Sequence, residues 1–529
     1  MKIRNSLWLG LVVLLALAPL GTAWGQKYGG TLQYALAGNP PSLSIHDEAT
    51  IYTVAPVMPA YNNLVVYDPM KAKEAPETII ADLATDWRWS SNGTELTFNL
   101  RRGVTFHDGK PFTAKDVKYT FDIVRGASKL KTKLSPRKLW YANVKDIVTN
   151  GDHEVTFKLG RPQPSLLAML AAGVSPVHPA HVPPREWRTS TMGTGPFMLK
   201  EYKRDQFLLH VKNPNYWRKD RPYLDGVRYV LIRKTQARLA ALAAKQVDMD
   251  HVSSTIKPHM ITLKSMAPGM EFNTTTRTSY VNILFNTQKP PFNNPKLRLA
   301  VNLAMSRPNF VKSVFDGGAV AGGINLPPPD GNWGLTPEQV ATLPGYGDDA
   351  ANKAKARQIM AELGYSAEKP LKVPLIVRAV TFYVDSATWI ISQLKEIWID
   401  AEMRQVESGV LYGILARRDF LLDVHSTGVA ADDPDVHFFE GYSCDSQRNY
   451  SDYCNPEVEA LYVKQSQMFD NAERLKLVRE IDERLVRDGA RIVFGFRNLY
   501  NARWPYVKDL VPHQTHYSYA RMQDVWLDK

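Results

Sequence analysis

The chain has 529 residues, too many for one ordinary hydrophobic core, so at least two packing units are expected. A composition of 44% hydrophobic and 22% charged residues excludes extensive disorder. The net charge of +12 is dispersed, and its densest run, Lys129 to Lys133, has no interleaved aromatics; it reads as a solvated face, and no nucleic-acid partner is expected.

The chain opens with Lys2 and Arg4, an apolar run from Leu7 to Leu20, and small residues around Thr22-Ala23-Trp24-Gly25. This is the pattern of a cleaved secretory signal peptide over residues 1–25, its apolar run shorter than the roughly 20 residues that span a bilayer. No cysteine stands at the expected cut, so release into a periplasm is predicted rather than a lipid tether. No later segment is long and apolar enough for a transmembrane helix.

From Asp82 to Phe121 the local signals run strand, turn, strand, turn, helix. Glu95 to Leu100 alternates apolar and polar residues after a turn at Asn92-Gly93, and a second turn falls at His107-Asp108-Gly109. Thr113 is the expected helix N-cap, with Asp116 as its capping-box acid and Val117, Phe121 and Val124 as one apolar stripe. A second alternating strand, Asp152 to Arg161, closes this helix in, which predicts an α+β subdomain at about residues 61–192. Its exit is Gly193-Thr194-Gly195-Pro196, read as a turn into a strand rather than a dinucleotide loop, since the third glycine is missing.

A second unit is expected to open at Tyr280, where YVNILFN reads as a buried strand. Helices are predicted over Leu297 to Arg307, Ala350 to Leu363 and Ser386 to Ile399, with the strand LKVPLIV between the last two. This alternation is that of an α/β lobe. Two amphipathic helices follow Pro456, and IVFGF is a further strand. The two cysteines, Cys444 and Cys454, lie ten residues apart in a polar loop; in an oxidising compartment they predict one disulfide, two free thiols being the alternative.

Catalytic signatures are weak. His178-x-x-His181 and His513-x-x-His516 are not HExxH and sit in proline-bearing loops, so they are read as core or surface histidines and no metal is expected. The sequence has no GxSxG elbow and no GxxxxGK[ST] phosphate loop. A periplasmic hydrolase is therefore the weaker alternative, no cofactor is expected, and any ATP hydrolysis falls to a separate subunit.

The stretch from Asp82 to Phe121, together with GGTLQYA (Gly29 to Ala35), GTGPF (Gly193 to Phe197), NPNYWRKDRPYLDGV (Asn213 to Val227), PPFNNPKLRLAVNLAMSR (Pro290 to Arg307) and ADDPDVHFF (Ala431 to Phe439), resembles the family 5 extracytoplasmic solute-binding proteins of ABC importers. The resemblance implies an α/β, bilobal periplasmic-binding-protein-like fold of the large type. Lobe I would comprise residues 26–60, 193–278 and 495–529, the extra inserted α+β domain residues 61–192, and lobe II residues 279–494. It further implies a monomeric receptor that closes on a peptide or other small solute (a sugar, opine or metal chelate being alternatives) and is read by membrane permease subunits, or by a sensor partner. In peptide receptors of this family an Asp upstream of D-P-D pairs with the ligand amine. Gapless matching to Asp433-Pro434-Asp435 puts Ala430 at that position, unless a local shift brings Asp432 there. Tyr280, Asn282, Tyr383, His425, Thr427, Ala430, Asp432 and Asp433 are accordingly the candidate ligand-binding residues.

Overall fold

The structure is a computed structural model that describes residues 25–251, 254–515 and 520–529. The expected signal peptide and His516 lie outside the described residues. Among the described residues no helix is long and apolar enough to cross a membrane.

The alternating strands pair as their pattern requires. Glu95–Leu100 lies antiparallel to Glu154–Leu159, with Leu96 opposite Phe157 and Phe98 opposite Val155. All four side chains are fully buried. Ala84–Trp89 and Val144–Thr149 extend this pair to a four-stranded sheet. The helix Ala114–Val124 covers it, starting where the Asp116 carboxylate accepts the Thr113 backbone N–H at 2.8 Å. Phe121 then meets Phe157 at 5.5 Å between ring centroids.

A second four-stranded sheet orders Thr31–Leu36, Gly226–Leu231, Phe207–Lys212 and Phe197–Lys203, its first pair parallel. The GTGPF turn has a steric cause. Gly195 donates its N–H to the Ala60 carbonyl at 3.0 Å, and a Cβ on Gly193 or Gly195 would overlap the Ala60 backbone.

The third sheet is mixed and six-stranded, in the order Ala319–Val320, Arg491–Arg503, Glu271–Phe285, Leu422–Gly428, Leu371–Arg378 and Ile399–Val406. Its last three strands are mutually parallel, and helices Pro295–Ala304, Asp349–Glu362 and Thr381–Lys395 bury apolar side chains in the same core. The strand at Tyr280 is longer than its apolar stretch suggested. Residues 271–276 pair with 498–503, the ladder then breaks, and it resumes from Tyr280 opposite Phe496.

Two helix boundaries differ from expectation. The helix placed at Ser386 to Ile399 runs Thr381–Lys395, because Trp398 takes a left-handed conformation (φ 63°) and Ile399, nearly fully buried, begins the next strand. Tyr383 therefore lies in the helix's first turn rather than before it. The helix placed at Leu297 to Arg307 ends at Ala304, and Ser306 caps a new one, Arg307–Phe315.

The cores follow the sheets. One cluster joins Leu32 and Tyr34 to Phe98 of the first sheet and Phe121 of its covering helix, to Ala430, and to Val507 and Leu527 near the C-terminus. Another joins Val281 and Ile283 to Leu297, Leu375, Ile390 and Phe494. Cys444 and Cys454 form a disulfide, and inside their loop Asn449 Nδ2 donates to the carbonyls of Ser443 and Tyr453.

Candidate functional site

Antiparallel pairing puts opposed side chains on one face, and the register sets Tyr280 against Thr427 and Asn282 against His425. Four of the eight candidate residues are thereby brought together. Asn282 Nδ2 donates to Thr427 Oγ1 at 2.9 Å, and Arg491 reaches the same oxygen at 3.4 Å while donating to the Gly441 carbonyl at 2.7 Å. Helix Pro434–Gly441 lies across this face, with His437 stacked at 6.4 Å from the Tyr280 ring. Tyr280, His425, Thr427, His437, Arg448 and Arg491 line a space of about 340 Å³.

The charge of this face is unusual for a buried surface. Arg491 is 2% exposed, and among the described residues it has no ion pair; Tyr442 lies under it at 4.6 Å. His425 approaches Asp423 at 3.2 Å, and burial holds its pKa below the ordinary histidine value. His437 is pushed down to about 3 by burial and by the Arg491 charge, so both imidazoles are neutral near pH 7.

Tyr383 joins a neighbouring group. Arg378, at the end of its strand, lies 5.0 Å from the Tyr383 ring and 5.1 Å from the Tyr412 ring, and donates to the Tyr412 hydroxyl at 2.7 Å. The Tyr412 ring meets His425 edge-on at 6.2 Å, which links this group to the first. Arg497 lies 4.4 Å over Phe382. Tyr52, on the distant helix Ile51–Val57, completes the group: burial raises the pKa of its hydroxyl, and Tyr383, Arg378 and Arg497 act on it electrostatically.

The remaining three candidates stand apart. Ala430 is 4% exposed and packs in the apolar cluster with Val429, Ala431 and Val436. The Asp432 carboxylate accepts from Asn332 N and Nδ2 at 3.1 and 3.0 Å, and burial, with Glu74 and Asp433 nearby, pushes its pKa up to about 7. Asp433 caps helix Pro434–Gly441 through the Asp435 N–H at 2.9 Å and is held by Arg474 at 3.0 and 2.8 Å. Asp435 is also taken up, by Arg474, Ser165 and Gln465.

The histidine pairs have structural surroundings: His178 is buried and stacked on Trp187 at 4.0 Å, and His181 meets Asp108 at 2.8 Å. Among the described residues no cluster of three or more metal-binding side chains occurs.

Sequence reasoning missed Tyr52, Arg378, Tyr412, Arg491 and Arg497. Two of them carried a signal: Arg378 and Arg497 each terminate a buried apolar strand run, LKVPLIV and IVFGF, where a charge is out of place unless it faces a site.

The family described as bacterial extracellular solute-binding proteins, family 5 Middle, matches residues 78–449. A probable di/tripeptide-binding protein 5 of Pseudomonas aeruginosa is 26% identical over 428 residues, covering 76% of this chain and 77% of that protein. Among solved structures, the periplasmic binding protein DppA of Helicobacter pylori in complex with the peptide STSA superimposes with a TM-score of 0.83 at 22% identity, over 95% of this chain and 99% of that one. AgaA of A. tumefacien R10 in complex with agropinic acid gives a TM-score of 0.80 at 21% identity, over 94% and 99%. The fold is therefore the mixed α/β, bilobal one of these receptors, and the chain belongs to the family 5 bacterial extracellular solute-binding proteins.

Proposed function

We propose that this protein is an exported, periplasmic receptor that encloses a peptide or peptide-like solute between its two lobes and delivers it to the permease of an ABC importer powered by a separate ATPase. The observation that carries the reading is the pair of long strands 271–285 and 491–503, whose ladder lapses between Thr276 and Tyr280. Cross-strand bonds stiffen a ribbon, so bending concentrates where they lapse, and closure of the lobes is a hinge rotation there. The face carrying Tyr280, Asn282, His425 and Thr427 starts beside that point, and Tyr52 approaches it from the other lobe. No covalent step is required: capture, desolvation and recognition of the closed form suffice.

A peptide with a free amine is the reading that relatives such as the di/tripeptide-binding protein support. A solute without one is favoured by Ala430, an apolar residue in an apolar cluster where an amine-binding acid would stand.

The test is small-angle scattering of the purified protein with and without the solute that co-purifies with it, identified by mass spectrometry. The expected result is compaction with an unchanged ligand. Binding without compaction would remove the clamshell mechanism.

A further inference from the structure

We infer that the cleft selects a carboxylate-bearing solute whose amine is absent or blocked, with Arg378 and Arg497 on the six-stranded sheet, assisted by Tyr383 and by Tyr52 on helix Ile51–Val57 of lobe I, as the anion-binding group; this rests on the receptor reading above. Both guanidiniums are about nine-tenths buried, at 9% exposure, and the Nε of each has no hydrogen-bond partner. Neither takes part in an ion pair among the described residues. The charges acting on Arg497 come from Tyr383, Tyr52 and Arg277, and no carboxylate is among them.

A buried guanidinium without a counter-charge is costly, and proteins that retain one ordinarily pair it. Elsewhere in this molecule they do: Arg238 meets Asp250 at 2.7 Å, Arg521 meets Asp82 at 3.0 Å, and Arg474 holds Asp433 and Asp435. Arg298 and Arg307, also buried without an ion pair, instead direct their donors to three backbone carbonyls each. Arg378 and Arg497 have neither an acid nor such a set of carbonyls. The acids near that face have other partners: Asp423 lies 3.2 Å from His425, and Glu440 is paired with Arg448.

The counter-charge therefore belongs to the ligand. Arginine offers a planar fork of donors that matches a carboxylate, and the tyrosine hydroxyls add neutral donors on both sides of the cleft. Because Tyr52 comes from the opposite lobe, an anion held here also ties the lobes together in the closed form. A free ammonium, by contrast, would enter a site of its own sign with Ala430 in place of an acid. An N-acylated or N-substituted amino acid or dipeptide meets both conditions.

The experiment offers the full-length mature protein three pools of random-sequence dipeptides: N-acetylated with a free carboxylate, N-acetylated with a C-terminal amide, and unmodified. Retained components are read by mass spectrometry after gel filtration, and affinities by titration calorimetry. The acetylated acids are expected to be retained and to bind at least tenfold more tightly than their amides and than the unmodified dipeptides. Arg378→Gln and Arg497→Gln should each weaken the acids tenfold or more, and ligand-free Arg497→Gln should unfold at an equal or higher temperature than the parent, which a purely structural arginine would not allow.

Equal retention of amides, a preference for free amines, or retention of no pool would each overturn the assignment. So would an Arg497→Gln protein that is less stable without ligand yet binds acids normally. Compaction on amides or unmodified dipeptides would sink the anion assignment while leaving the receptor standing, whereas absence of compaction with any bound solute would sink the receptor reading itself.

Discussion

Arg474 grips Asp433 with both ends of its guanidinium, at 3.0 and 2.8 Å, and both side chains are nearly fully buried. The same arginine reaches Asp435, and its plane lies 4.6 Å over Trp333. The D-P-D segment is thus an anchor that fixes the start of helix Pro434–Gly441 to helix Asn471–Arg487.

Removing the arginine leaves two carboxylates buried without their cation. Arg474→Met is expected to cost about 3–5 kcal/mol in urea unfolding at pH 7. Asp433→Asn, which keeps a cap acceptor, should cost less. A change under about 1 kcal/mol in Arg474→Met would mean that the pair is not structural.

Asp432 makes stability depend on pH in the direction opposite to a salt-bridged carboxylate. Its pKa is pushed up from 3.8 to about 7, so between those values the folded state binds more protons than the unfolded state. Stability therefore falls as pH rises from 4 to 7, by at most on the order of 4 kcal/mol for this group. Asp482, accepting from the backbone of Ile324 and Asn325 and raised to about 6 by burial, adds a slope of the same sign. Comparing wild type with Asp432→Asn isolates the first contribution: the variant should match wild type near pH 4 and exceed it at pH 7.5. Parallel pH profiles would refute the shift.

Closing the Cys444–Cys454 loop, with a sequence separation of 10, removes unfolded-chain entropy worth about 3 kcal/mol. The double variant Cys444→Ala/Cys454→Ala, and the wild type in reductant, should lose stability by that order in the same denaturation assay. An unchanged midpoint on reduction would show that the loop is held by its internal hydrogen bonds alone.

Gly195 leaves no room for a side chain against the Ala60–Tyr61 backbone. Gly195→Ala must displace that contact and is expected to cost about 2 kcal/mol or more. Gly103→Ala is a control of another kind: its φ of +74° is strained for alanine, but nothing lies within 4 Å of its would-be Cβ, so it should cost about 1 kcal/mol.

Local chemistry made much of the fold legible. The Thr113 and Asp116 cap, the Glu95–Leu100 strand and the disulfide partners are all decided within a dozen residues, and the structure has them where the sequence pattern put them. The Thr381–Lys395 boundaries were not, because a left-handed Trp398 and the burial of Ile399 depend on a sheet that the segment itself does not contain. The site divided in the same way. The grouping of Tyr280 and Asn282 with His425 and Thr427 follows from strand positions, whereas Tyr52 and Arg378 are brought together only by tertiary folding. Arg378 and Arg497 are two of 65 basic residues, and burial without an acid is invisible until the packing is known.

Val507, Leu510, Met522, Val525 and Leu527 fill the same core as Leu32 and Tyr34. The core that joins Val281 to Phe494 is complete some thirty residues earlier in the chain. A ribosome or a translocon delivers the chain from its N-terminus, so the strand made first must wait for the segment made last. Until then the apolar face of that strand lacks part of its cover, whereas every residue of the core around Val281 and Phe494 has already been made. A nonsense change between Arg503 and Val507 would therefore spare the six-stranded sheet while leaving the other core without its floor.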